Sequence, residues 1–390
     1  MTEAASLTGA GFDALRRGDA NAAQDFFRRA TSVAGAGADA WFGLSLAQRR
    51  LGATEPEGVA LDRTLELDPR HIPALIRKGD IYTGRNDARA ATSFYRAAVK
   101  LAGAARGLAP EWRTEIERIQ GLVEQNARIF EQHLLNDLTR AGFQEGNAPR
   151  FAHALDLLLG RRQIFQQQPQ YFYYPELPQI QFYERTDFAW VRELEQHTAA
   201  IRAELLAVMQ SAGDGFVPYM QSATDRPNFN NNGLLDDPSW SAFHLIKNGV
   251  VVERSAALCP VTLAALERLP LCRINGRTPT ALFSLLRPGA HIPPHHGFMN
   301  ARLICHLPLV VPPNCALRVG NETRSWREGE LVIFDDTMEH EAWNRSSEPR
   351  VVLLFDIWRP EVTEAERALV AATLESIDRF GGQQRREWTQ

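Results

Sequence analysis

The chain has 390 residues, more than one hydrophobic core usually serves, so two or three domains are expected. Hydrophobic residues make up 44% and charged residues 23%, a globular composition that excludes a largely disordered chain. The 43 Lys and Arg against 47 Asp and Glu give a formal charge of -4 with no basic run, which argues against a nucleic-acid binder. No apolar stretch approaches the ~20 residues of a spanning helix. Glu3 stands where a signal peptide carries positive charge. Cys259, Cys272, Cys305 and Cys315 are too few for a disulfide scaffold and lack C-x-x-C spacing. A soluble cytoplasmic protein with reduced thiols is the expectation.

The first hundred residues repeat at an interval of 34. Gly18, Gly52 and Asn86 share one phase, Phe27, Leu61 and Tyr95 a second, Ala30, Thr64 and Ala98 a third. Gly11 and Gly79 lie two periods apart, as do Ala23 and Ala91. A helix–turn–helix unit needs small residues where its helices cross and a bulky one beside them. Leu67-Asp68-Pro69 closes the second unit with a helix stop. The pattern resembles a tetratricopeptide array over residues 1–105, its middle copy degenerate because Glu57 and Thr64 replace small residues. An alanine-rich helical bundle is the alternative. Such arrays stack into a concave surface for peptides, so a protein partner in the groove is an expectation.

From Glu111 to Leu138, behind Pro110, apolar residues recur at threes and fours (Trp112, Ile116, Ile119, Leu122, Val123), predicting a long capping helix. Ala154 to Phe165 predicts another. Gln166 to Pro175 cannot continue a helix. Residues 106–174 are therefore expected as capping helices and linker, and 175–390 as a second domain with a C-terminal helix. Leu194 to Met209 also reads as helix.

Histidine concentrates further on. Of ten, His291, His295, His296, His306 and His340 fall between 291 and 340, among strand-like runs at 280–286, 302–309, 331–334 and 351–355. Pro288-Gly289, Pro312-Pro313-Asn314 and Glu328-Gly329 divide the runs. Short antiparallel strands at this spacing predict a sandwich or jelly roll, where distant residues point into one mouth.

The runs His291 to Leu303, Cys305-His306-Leu307, Gly329 to Asp336 with Glu339-His340-Glu341, and Arg350 to Asp356 with Trp358 resemble the aspartyl/asparaginyl β-hydroxylase family. The resemblance reaches upstream through Trp240-Ser241-Ala242-Phe243 to about residue 175. It implies a double-stranded β-helix and an Fe(II)- and 2-oxoglutarate-dependent dioxygenase that consumes O2 and releases succinate and CO2. Residue by residue, it implies His295 and His340 as iron ligands. His306 and Arg350 would hold the 2-oxoglutarate carboxylates with help from Ser284, and Trp240 would line the pocket. These roles make chemical sense: imidazole suits Fe(II), and arginine offers a carboxylate a planar fork that lysine cannot reproduce.

Gly297 stands where most dioxygenases of this chemistry carry a third, carboxylate ligand, and the resembling family shows the same absence. Asp336 is the candidate to steady a metal-bound water from outside; alternatively Asp335 and Asp336 shape a turn. Consecutive strand residues face opposite ways, so His295 and His296 cannot both point inward without a bulge, and a shifted register would make His296 the ligand. The family's Arg-Leu-Arg-x-His-Leu reads Arg302-Leu303-Ile304-Cys305-His306-Leu307 here. Ile304 thus replaces a cation that can meet a carboxylate. Either Arg302 or another basic residue serves the substrate instead, or the substrate is not an ordinary aspartyl peptide. The resemblance implies hydroxylation at the β-carbon of aspartyl or asparaginyl residues in a peptide or protein. The alternatives are the same chemistry on a lipid acyl chain, which Ile304 suits, and a non-catalytic tetratricopeptide adaptor.

Overall fold

The structure is a computed structural model and describes residues 2–104, 110–211, 215–222 and 233–380. The chain divides between Leu155 and Asp156 into two compact units.

In the first unit, α1 (Glu3–Arg16) pairs with α2 (Ala20–Ser32), α3 (Ala38–Arg50) with α4 (Thr54–Leu67), and α5 (Ile72–Gly84) with α6 (Ala88–Ala104). The turn inside each pair uses Gly18, Gly52 or Asn86 at φ 85, 73 and 58, left-handed values that glycine and asparagine tolerate best. Phe27, Leu61 and Tyr95 are buried in the second helices. A Cβ on Gly43 would overlap the Phe27 ring and one on Gly79 the Tyr95 ring, so the small residues mark helix crossings. Thr64, standing where Ala30 and Ala98 stand in the other pairs, satisfies its buried hydroxyl by donating to Ala60 O at 2.9 Å. Asp19 caps α2 by accepting from Ala22 N at 2.9 Å, and His71 Nδ1 caps α5 by accepting from Ala74 N at 3.1 Å.

Next come α7 (Pro110–Arg140) and α8 (Pro149–Leu158). The helix expected over Ala154 to Phe165 therefore lies earlier in the chain. Gly160, at φ 72, turns the backbone after α8, and Arg161 N closes the end onto Asp156 O at 2.9 Å.

The second unit contains β1 (Phe182–Tyr183), α9 (Val191–Gln196), α10 (Thr198–Ser211), β2 (Val217–Pro218), β3 (Trp240–Lys247), β4 (Val250–Val251), α11 (Glu253–Leu258) and α12 (Pro260–Glu267). It continues through β5 (Ala281–Leu286), β6 (His291–His295), β7 (Arg302–Val310), β8 (Cys315–Val319), β9 (Glu322–Ser325), β10 (Val332–Phe334), β11 (His340–Asn344), β12 (Arg350–Trp358) and α13 (Glu364–Phe380). The single helix expected over Leu194 to Met209 is two, broken at His197, where the Thr198 hydroxyl donates to Glu195 O at 2.7 Å.

The larger sheet runs β1-β10-β7-β12-β5-β3-β2 with β4 on β3, and the smaller runs β6-β11-β8-β9. Every strand pairing among them is antiparallel. Strand alternation assigns the two faces of the larger sheet. Leu303, Cys305 and Leu307 of β7 and Leu353, Phe355 and Ile357 of β12 pack with Leu194, Ile201, Leu205 and Leu266 of the covering helices. Residues of opposite parity, among them Ile304, Val352 and Leu354, pack with Ile292, Leu317 and Ala342 of the smaller sheet.

Gln166 to Pro175 runs along the second unit rather than linking to it. Gln167 Nε2 donates to Asp335 Oδ2 at 2.6 Å and Gln168 N to Thr337 O at 2.8 Å, while Phe172 and Tyr174 pack with Met299 and Trp358. The division thus falls before the 174/175 boundary read from composition. Among the described residues, no helix is long and apolar enough to cross a membrane.

Candidate active site

The alternation that fills the inter-sheet core also aims polar side chains into it. Ser284 of β5, His306 of β7 and Arg350 of β12 share the parity of their inward-packing neighbours. From the smaller sheet come His295 and His340, directly paired in the β6–β11 register with ring centroids 4.0 Å apart. Together with Trp240, Ile304, Asp336 and Phe334 they line one recess of about 470 Å³.

The two imidazoles are held in the same way. His295 Nδ1 lies 2.8 Å from Pro293 O and His340 Nδ1 3.1 Å from Met338 O. A carbonyl only accepts, so each Nδ1 carries the proton and each Nε2 keeps its lone pair. Burial lowers both pKa values, that of His340 strongly, which keeps the rings neutral. Two neutral imidazoles with fixed tautomers are suited to share a metal ion. His296 is not among the residues lining this recess. Among the described residues, no group of three or more His, Cys, Asp or Glu could hold a metal, so the candidate centre is a pair.

Beside the pair, Arg350 is 1% exposed, and among the described residues its Nε and Nη1 have no hydrogen-bond partner. Its guanidinium lies over the Trp326 ring at 4.7 Å. Burial lowers its pKa to about 10, so it remains charged at neutral pH. Burial, and then the Arg350 charge, push His306 down to about 3, leaving it neutral; its Nδ1 is also without a partner among the described residues. Ser284 Oγ accepts from Trp240 Nε1 at 3.1 Å, which leaves its own proton for another acceptor. A buried cation with two unused donors, a neutral imidazole and a directed hydroxyl are chemically suited to a carboxylate.

Asp336 and Gly297 fit each other. A Cβ on Gly297 would overlap the Asp336 carboxylate, so that carboxylate fills the space a side chain at 297 would need. Asp336 Oδ2 accepts from Arg302 Nη2 at 3.2 Å, and Arg302 Nη1 donates to Asp356 Oδ2 at 3.0 Å. Burial raises Asp336 to about 6 against the pull of Arg302. Asp335 instead shapes the turn, accepting from Thr337 N, the Thr337 hydroxyl, Gln167 and Arg359. Arg302 is thereby committed to two carboxylates. Ile304 borders both this recess and an outer one of about 850 Å³ that Arg302, Lys247 and Arg277 also line.

Sequence reasoning missed Tyr219, which stacks on Trp240 with centroids 3.9 Å apart and borders both recesses. It also missed Trp326, the platform under Arg350. Tyr219 follows a two-residue strand too short for any period; Trp326 lies just past β9, with only its aromaticity to mark it.

Residues 195–360 match the family model described as aspartyl/asparaginyl beta-hydroxylase. Over that stretch the chain is similar to the family. The chain is 39% identical over 191 residues to the ornithine lipid ester-linked acyl 2-hydroxylase of Rhizobium tropici, covering 48% of this chain and 63% of that protein. It is 36% identical over 184 residues to the aspartyl/asparaginyl beta-hydroxylase of Homo sapiens, covering 47% of this chain and 23% of that protein. The chain thus spans less than two thirds of the length of either relative. Among solved structures, the chain is similar to the Sgt2 TPR domain from Aspergillus fumigatus at 21% identity and a TM-score of 0.28, covering 33% of this chain and 83% of that one. The helix pairs and their interval of 34, rather than that score, carry the likeness of the first unit to tetratricopeptide proteins.

Proposed function

We propose that the second unit is an Fe(II)- and 2-oxoglutarate-dependent dioxygenase that hydroxylates the β-carbon of aspartyl or asparaginyl residues in a peptide or protein. One observation carries this reading: a neutral, tautomer-fixed histidine pair beside a buried arginine whose free donors call for a carboxylate. In it, His295 and His340 hold iron through Nε2, while Arg350, His306 and Ser284 hold the keto acid. When bound, iron and 2-oxoglutarate supply the activation of O2, with succinate and CO2 as co-products. The protein supplies orientation and dryness. Trp240 and Phe334 wall the recess, and Asp336 Oδ1, without a partner among the described residues, is available to a water beside the histidine pair. The two stacked antiparallel sheets are read as a double-stranded β-helix, and the repeats as the part that recruits or presents a polypeptide.

A second substrate class has specific support. The Rhizobium tropici relative is named for acyl hydroxylation, and Ile304 offers apolar contact between the two recesses. Incubating the full chain with iron, 2-oxoglutarate and Asp- or Asn-containing peptides, or with acyl lipids, separates the readings. Succinate release with a one-oxygen mass gain on the peptide supports the first, and the gain on the lipid supports the second. No succinate under any condition supports a non-catalytic adaptor. His340→Ala should abolish turnover while leaving the helical unit folded.

A further inference from the structure

The histidine pair sits where the pairing between its two strands is irregular. His340 of β11 faces His295 of β6 and Ala342 faces Ile292, so Pro293 and Pro294 together oppose Glu341 alone. Neither proline has an N–H to donate, and an extra residue of this kind bends the strand and re-aims its side chains. Opposite Glu341, β6 thus offers β11 no N–H, and this is the residue next to His340.

Side chains on the outer face of the smaller sheet hold that place instead. Strand alternation turns His340 and Ala342 inward and Glu341 outward, where it faces Arg318 of β8. All three guanidinium nitrogens of Arg318 are engaged. Nε donates to Glu341 Oε1, Nη2 to Glu339 Oε1 at 2.8 Å and Nη1 to Gly320 O at 2.8 Å. Gly320 N donates back to Glu339 O at 2.8 Å. Glu339 and Glu341 flank His340, so the fork grips the chain on both sides of that residue. From β6, His291 Nε2 lies 2.7 Å from Glu341 Oε2, so one carboxylate ties the strand of His295 to that of Arg318. Cross-strand ion pairs commonly do no more than steady a sheet. Here two acids that share one fork enclose a single residue, and that residue is His340.

We propose that Arg318 is a positioning residue, holding His340 against His295 in the geometry that two imidazoles need to share a metal ion. This rests on the proposed reading of the pair as metal ligands, and it assigns their aim to a side chain outside the recess.

The test titrates Co(II) alone into the full chain and follows its visible absorption, with thermal unfolding beside it. Charge and position predict opposite signs. By charge alone, Arg318→Gln should strengthen binding of a cation, and Arg318→Lys should leave it unchanged. By position, Arg318→Gln should weaken Co(II) binding about tenfold and alter the absorption band, and Arg318→Lys, which keeps the charge but loses the fork, should weaken it several-fold. Arg324→Gln, which breaks pairs to Glu184 and Glu322 on the neighbouring β9, should leave Co(II) affinity unchanged whatever it does to melting. Tighter or unchanged binding by Arg318→Gln overturns the proposal, as does unchanged binding by Arg318→Lys should the first variant not fold. An equal loss in Arg324→Gln also overturns it, since general loosening then explains both. A band that His340→Ala removes and the Arg318 variants leave intact sinks this proposal alone. A band that survives His340→Ala, or none at all, sinks the metal reading of the pair as well.

Discussion

Gly297 and Asp336 form a steric pair at the edge of the histidine site, and a single atom added at 297 tests it. Gly297→Asp supplies the carboxylate that a three-ligand site would have, but its Cβ would enter the space of the Asp336 carboxylate. The expected outcome is destabilisation of about 1–3 kcal/mol, the usual cost of overpacking. Adding Asp336→Gly should recover part of the loss, with thermal unfolding of the single and double variants as the check. Arg350→Lys should weaken 2-oxoglutarate binding about tenfold or more in calorimetric titration, since two aligned donors become one flexible charge. His71 gives a pH signature. Burial lowers its pKa below the ordinary 6.5 against the pull of Asp39 and Asp68, and the neutral ring caps α5 through Nδ1 and packs on Phe42. The folded state therefore binds that proton less tightly than the unfolded state. The contribution is fully present above pH 6.5 and is lost as pH falls from there through the lowered folded value. His71→Asn keeps a cap without titrating, so its stability should fall less over that interval. That His295, His340, His306 and Arg350 meet in one recess was readable in motifs because they sit in dense, distinctive runs. The reason for Gly297 was not readable, because only folding brings Asp336 against it.

Among the elements, the repeat pairs are held by rings pressed onto glycines. Gly79→Ala places a methyl group inside the Tyr95 ring and should cost about 1–3 kcal/mol, measured by chemical denaturation. The same change at Gly9, where a Cβ meets nothing within 4 Å, is the control and should be neutral or slightly stabilising. This array was legible because crossings recur at a fixed interval, so that Phe27, Leu61 and Tyr95 mark each other. The helix ends were less legible. Periodicity carried the reading past Leu158 and through His197, whereas Gly160 and the Thr198 hydroxyl, acting locally, decide where the backbone turns. Strand parity was legible once the runs were found, and it places Ile304 and His306 on one face and Leu303 and Cys305 on the other.

For the whole molecule, the division into two compact units predicts that residues 156–390 fold alone and retain the carboxylate site. A fragment starting at residue 182 should melt lower than one starting at 156. It loses Gln167 from Asp335 and the Pro178 carbonyl from the buried Arg359 guanidinium, a donation of 2.6 Å. Composition marked Gln166 to Pro175 as a break in helix, which it is. It could not show that the aromatics there pack with the second unit, since such contacts carry no period along the chain.

Arg350 has a consequence for stability. A positive group buried over an indole, with two donors unpaired among the described residues, is less stable alone than with a bound carboxylate. On the proposed reading, the keto acid acts as a keystone as well as a reactant. The melting temperature should climb with its concentration, and resistance to added protease should rise with it.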